Sequence, residues 1–169
     1  MDVLETVAAR YSVRGYKADP VPDDVLAQIL EAARRAPTAA NKQPFRLIVA
    51  HTQGREEELA LIYGRPWFTQ APLVVGVVAV PGEAWRRMDD KPYDEVDATI
   101  VMDHLILAAT SLGLGTCWIA AFDPSAAREV LGLPDDVEPI AFTPLGYPDK
   151  AQAKTDRRPL EELVKYERW

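Results

Sequence analysis

Arg10, Ser12 and Arg14 alternate in the stretch "ARYSVRGY" (9–16), and alternation along an extended backbone turns all three side chains the same way. Two guanidinium groups flanking a hydroxyl suit an anion with several oxygens, because a planar fork grips phosphate or carboxylate bidentately. A second basic group, Lys154, Arg157 and Arg158, stands in "KTDRRPLEE" (154–162). The two segments either converge on one phosphate or remain separate solvated charges, and residue type alone leaves both readings open. A third candidate is the joint "APTAANKQP" (36–44), which places Thr38, Asn41, Lys42 and Gln43 among small residues between two prolines. That is more hydrogen-bonding side chains than a plain connector of one or two turn residues needs, with small residues among them that leave the backbone open to close approach. The other reading of the joint is a polar surface loop whose amides cap backbone groups.

Other chemistries find little support. "GLGTCW" (113–118) has two glycines of a dinucleotide fingerprint but no third, and it follows a helix rather than a strand. Gly113 reads instead as a helix C-cap with positive φ. His51 and His104 have no Cys or paired carboxylate at ligand spacing, so no metal is expected. Cys117 lies in an apolar run, where a thiol is inert, and no nucleophile elbow is present. With 26 acidic and 19 basic residues the chain carries a net charge of -7, which argues against nucleic acid as a partner. A single cysteine suits a reducing compartment. The first sixteen residues hold Asp2 and Glu5 and no apolar run, so no leader is expected, and "ATIVMDHLILAA" is too short and too charged to span a bilayer. The expectation is one cytoplasmic domain, without a membrane partner, over residues 1–169.

The elements that must position these groups follow from periodicity. Residues 2–10 read as a short helix with Val3, Leu4, Val7 and Ala8 on one side. Val25, Leu26, Ile29, Leu30 and Ala33 recur at helical spacing until Pro37 ends the run. "FRLIVA" reads as a strand, residues 54–62 as a helix, and "PLVVGVVAVP" as a strand buried on both faces. The longest helix runs from Asp94 to Leu112 and is apolar almost all round, hence buried in the protein or against a second subunit. "GTCWIAAF" is predicted as an interior strand, "DPSAAREVLGL" as a helix ended by Gly132, "EPIAFTPLGYP" as a last strand and "RRPLEELVKY" as a closing helix. Helices first, then strands and helices mixed, imply an α+β or mixed α/β layered architecture.

Four segments in order, "ARYSVRGY", "APTAANKQPFRLIV" (36–49), "LAATSLGLGTCWIAAFD" (107–123) and "LGYPDKAQAKTDRRPLEELV" (145–164), resemble the nitroreductase family of FMN-dependent NAD(P)H oxidoreductases. The resemblance implies an α+β fold of three layers, with a mixed, mostly antiparallel sheet between helices, in an interlocked homodimer with FMN at the subunit interface. It implies that Arg10, Tyr11 and Ser12 lie at the FMN phosphate and ribityl end, joined by Arg157, and that Arg14 lies near flavin N1 and the C2 carbonyl. Pro37, Thr38 and Ala39 would come from the other subunit with Asn41 close by, Gln43 would touch FMN or brace the loop, and Ala120 and Ala121 would bring backbone near N5. The implied activity takes hydride from NADH or NADPH to flavin N5 and passes it, by a ping-pong mechanism, to a small electron-poor acceptor such as a nitroaromatic or quinone, with no catalytic side-chain acid. Sibling activities (oxygen-dependent flavin breakdown, reductive dehalogenation) and non-catalytic flavin binding are the alternatives. Trp67, Phe68, Trp85 and Tyr93 either line a substrate mouth or belong to core and dimer contacts.

Overall fold

The computed structural model describes residues 1–151 and 156–169. Four strands, β1 (Phe45–His51), β2 (Leu73–Ala79), β3 (Gly115–Thr116) and β4 (Glu138–Gly146), form one sheet in the order β1-β2-β4-β3. All three pairings are antiparallel, and an isolated parallel bridge from Ser12 to Thr116 makes the arrangement mixed. β2 is buried along its whole length, as its run of β-branched residues predicts. Its side chains alternate between two cores. Leu73, Val75, Val77 and Ala79 face one cluster, while Val74 faces another.

Helix α5 (Asp94–Ser111) lies in the first core, where Val101, Met102, Leu105 and Ala109 pack with Ala141 and Leu145 of β4. Ile29 and Ala33 of α2 (Asp23–Arg34) complete that layer. The second core gathers Leu59 of α3 (Glu56–Ala60), Ile62, Phe68 of α4 (Pro66–Gln70), Ala127 of α6 (Pro124–Leu131) and Phe142 of β4. Two apolar layers on either side of one sheet give the three-layer architecture. Gly76 at the centre of β2 makes room for Phe142, since a Cβ there would stand 2.5 Å from Phe142 Cε1.

Several elements differ from the sequence reading in extent. The predicted interior strand "GTCWIAAF" pairs regularly only at Gly115 and Thr116, with a single further bridge at Ile119. The ladder stops because the Cys117 N–H donates to the Thr143 side-chain hydroxyl (2.9 Å) rather than to a backbone carbonyl. The closing helix α7 spans only Leu160–Leu163. α4 was not foreseen: five residues are too few for a periodicity to show. Helix α1 (Val3–Ala9) forms as expected, started by a capping box between Asp2 and Glu5. Its apolar side, however, is open: Val3, Leu4 and Val7 are 75, 80 and 52 % exposed. Gly113, with φ +81°, ends α5 in the left-handed conformation expected of a C-cap.

Candidate active site

The segment carrying the two arginines is held extended by its backbone. The Val13 N–H donates to the Thr116 carbonyl (2.8 Å), and the buried Tyr16 hydroxyl donates to the Val13 carbonyl (2.9 Å). Val13 points inward, 3 % exposed, so its neighbours Ser12 and Arg14 point out, as the alternation requires. Gly115 permits this close approach, because a Cβ at that position would lie 2.6 Å from Val13 Cγ2.

Arg10, Tyr11 and Ser12 line a cleft of about 230 Å³ together with Asp103 and Ile106 of α5, Thr116 and Trp118. Arg14 lines a neighbouring cleft of about 160 Å³ with Gly15, Asp149 and Lys150. Tyr11 borders both, and its hydroxyl donates to the Lys150 carbonyl (2.9 Å). The bulk of Tyr11 therefore divides the basic surface into two compartments. The Arg14 guanidinium lies 5.9 Å from the ring centroid of Trp67, within reach of a cation–π contact, and Tyr63 meets that indole edge-on at 5.5 Å. Phe68 is fully buried and belongs to the core, not to a substrate mouth. Trp85 and Tyr93 pack edge-on against each other at 5.4 Å. Burial pushes the Cys117 thiol up, with Arg14 and Ser12 opposing more weakly, so the thiol stays protonated as its apolar setting predicts.

The joint 36–44 is a compact hydrogen-bonded turn. Thr38 Oγ1 accepts from the Gln43 N–H (3.1 Å), Gln43 Nε2 donates to the Asn41 carbonyl (3.1 Å), and the Asn41 N–H donates to the Thr38 carbonyl (2.9 Å). Gln43 thus braces the loop. Three of its residues, Ala40, Asn41 and Gln43, are left-handed with φ of 50°, 54° and 54°. Outside glycine that conformation costs about 1–2 kcal/mol per residue, and such strain concentrates at functional sites. The joint is tied to α5 by the Ala39 N–H, which donates to Asp97 Oδ1 (2.9 Å). Burial pushes the Asp97 carboxyl up from its ordinary range, the Ala39 N–H draws it down, and the charge of Asp94 adds to the rise.

The arginine strand and the joint therefore meet different stretches of one helix. Asp97 and Asp103 are about 9 Å apart along its axis at 1.5 Å per residue. Pro37, Asn41 and Gln43 are exposed, Thr38 and Ala39 half-buried. None of these five lines the Arg10 cleft. Ala120 and Ala121 are exposed between the Ile119 bridge and the Asp123 cap of α6. Arg157 is exposed, and its Nη1 donates to the adjacent Asp156 carbonyl (3.2 Å), so it is not among the described residues lining the Arg10 cleft. Lys154 lies outside the described residues. Asp97, Asp103, Trp118 and Asp149 were missed by sequence reasoning. An acid in the first turn of a helix reads as a dipole partner, and nothing local tells Asp97 from Glu95.

Comparison with known proteins gives a consistent neighbourhood. The family model described as "Nitroreductase family" matches residues 7–76 and 61–147. The chain is 31% identical over 179 residues to the FMN reductase [NAD(P)H] of Bacillus subtilis (strain 168), covering 96% of this chain and 72% of that one. It is 29% identical over 195 residues to the NADH dehydrogenase of Thermus thermophilus, covering 97% and 95%. Among solved structures it superposes on a nitroreductase family protein from Clostridium difficile 630 with a TM-score of 0.92, at 36% identity and with all of both chains covered.

Proposed function

The chain belongs to the nitroreductase family, and from that premise we propose that it oxidises NAD(P)H and passes the reducing equivalents to a small electron-poor acceptor, such as a nitroaromatic or a quinone, by ping-pong exchange at one open site. It is an NAD(P)H-dependent oxidoreductase with FMN as its cofactor. The observation that carries the reading is the arginine strand. Arg10 and Ser12 open into one cleft and Arg14 into the next, in a protein whose overall charge is negative.

The residues present fit the group. A half-buried guanidinium and an exposed hydroxyl can hold a phosphate in the Arg10 cleft, beside the Trp118 ring and the Ile106 side chain. At about 230 Å³ the cleft is smaller than the roughly 300–1,000 Å³ that a ligand of this size fills. A second copy would enlarge it, and the open apolar side of α1 supports a homodimer. In that dimer Pro37, Thr38, Ala39 and Asn41 of one subunit would face the cofactor held by the arginine strand of the other, with Gln43 holding the joint's shape. FMN, when bound, supplies the hydride chemistry. Arg14 would place a fixed positive charge beside it, where negative charge on the bound group would be stabilised. Ala120 and Ala121 offer backbone groups unobstructed by long side chains. Tyr11 and its tie to Lys150 keep the Arg10 and Arg14 compartments apart. Arg157, exposed here, would close over the phosphate in the loaded protein.

Residues 1–169 form one FMN-binding domain in this reading, and the single buried Cys117 supports the cytoplasm as its compartment. Among the described residues no helix is long and apolar enough to cross a membrane.

The test is an absorption spectrum of the purified protein loaded with FMN, taken before and after NADH or NADPH is added without oxygen. Bleaching of the flavin band by either nucleotide is the expected result, and a protein that takes up no FMN overturns the reading. Arg14→Ala is expected to retain FMN but to lower its two-electron midpoint by about 30 mV, the equivalent of a tenfold change in that equilibrium. Spectroelectrochemistry reads the shift, and an unchanged midpoint removes the electrostatic role.

A further inference from the structure

Asp97 is 1 % exposed, in the first turn of α5, and its two carboxylate oxygens have unequal surroundings. Oδ1 accepts the Ala39 N–H at 2.9 Å, while Oδ2 is buried without a hydrogen-bond partner among the described residues. A half-satisfied buried acid is an expensive feature for a fold to retain, and such groups call for an explanation beyond packing. The explanation lies in what Oδ1 holds. Ala39 stands directly before Ala40, Asn41 and Gln43, the three left-handed residues of the joint. Strained backbone persists only where its surroundings over-determine it. The joint's internal hydrogen bonds close the turn upon itself, and at its far end the Val80 N–H donates to the Pro44 carbonyl (2.9 Å). The Asp97–Ala39 bond fixes the start of the strained stretch, linking residues 58 positions apart in the chain.

We propose that Asp97 is a positioning residue for cofactor binding: its buried carboxylate anchors the strained joint 38–43 to α5, and so sets the surface that the joint presents to FMN across the subunit interface. The proposal rests on the function proposed above, because it takes the joint to face FMN. Asp97 itself touches no cofactor. It acts through Ala39, and the chemical requirement is an acceptor at the Oδ1 position. Asparagine keeps that acceptor without the charge, whereas alanine removes it.

The experiment compares wild type, Asp97→Asn and Asp97→Ala in full-length protein, with FMN titrated against the apo form by flavin fluorescence quenching. Asp97→Ala is expected to weaken FMN binding at least tenfold, and Asp97→Asn to bind within threefold of wild type. Equal affinity in the alanine variant overturns the proposal, and so does an asparagine variant as weak as alanine. Wild-type protein that binds no FMN overturns the functional reading instead, which keeps the two failures apart. Because the alanine variant removes a buried group and can fail to fold, amide hydrogen exchange at Ala39 is followed in apo wild type and in Asp97→Asn. Slow exchange in both supports the anchor. Exchange at the rate of a free exposed amide in wild type overturns it whatever FMN does.

Discussion

Arg10→Ala is expected to raise the FMN dissociation constant about 10- to 100-fold, corresponding to the loss of about 1.5–3 kcal/mol for a hydrogen bond to a charged group. Arg10 is half-buried at the cleft it shares with Ser12, Thr116 and Trp118, so its charge is less screened than that of a free surface side chain. Thr116 and Trp118 would remain in place without it, because they are held by β3 and the chain that follows rather than by Arg10. Arg10→Lys keeps the charge but not the planar fork, and should fall between wild type and alanine. Equilibrium titration with FMN at two ionic strengths is the measurement. Wild-type affinity should fall with added salt more steeply than that of Arg10→Ala. An alanine variant with unaltered affinity would detach the arginine strand from the phosphate and leave the two clefts in need of another ligand.

The largest effect on stability is expected at Phe142. Its side chain is fully buried, meets Phe122 edge-on with ring centroids 4.8 Å apart, and occupies the space left open by Gly76 on the neighbouring strand. Phe142→Ala therefore empties a volume that no neighbour is shaped to fill, since a strand residue without a side chain cannot collapse into it. Such truncations cost about 3–5 kcal/mol. In a domain of this size that lowers the thermal midpoint by about 6–20 °C, at about 2–4 °C per kcal/mol. Chemical denaturation of the apo protein checks the value, and a loss below about 1 kcal/mol would mean that the second core is not packed around this ring. FMN affinity provides a control, because Phe142 lines neither cleft of the arginine strand.

The sequence makes some of these features legible and hides others for definable reasons. β2 is readable because seven consecutive apolar residues, four of them valine, leave no polar face for solvent. α5 is readable because its length and apolar composition admit no other element. The facing of Ser12 and Arg14 follows from a period of two and needs only the buried Val13 to confirm it. The end of β3 could not be read, because it depends on a hydrogen bond from Cys117 to a side chain 26 residues away. The role of Asp97 was hidden in the same way: the group it accepts from is remote in sequence, and alanine carries no mark of being held. Left-handed conformations at Ala40 and Gln43 have no local signature either, since neither residue type prefers positive φ. The joint's composition pointed to close approach, but its geometry is imposed by the turn's own hydrogen bonds and by α5.

The left-handed joint also shapes how such a site can diversify over evolutionary time. At positions 40, 41 and 43 a β-branched side chain adds a steric penalty to the one that alanine and glutamine already bear and that asparagine bears least. Exchanges among small residues, amides and short acids remain open there, and with the joint facing FMN as proposed each would alter the polarity offered to the ring without disturbing either core. Selection on acceptor preference would then have a narrow but usable alphabet at these three positions.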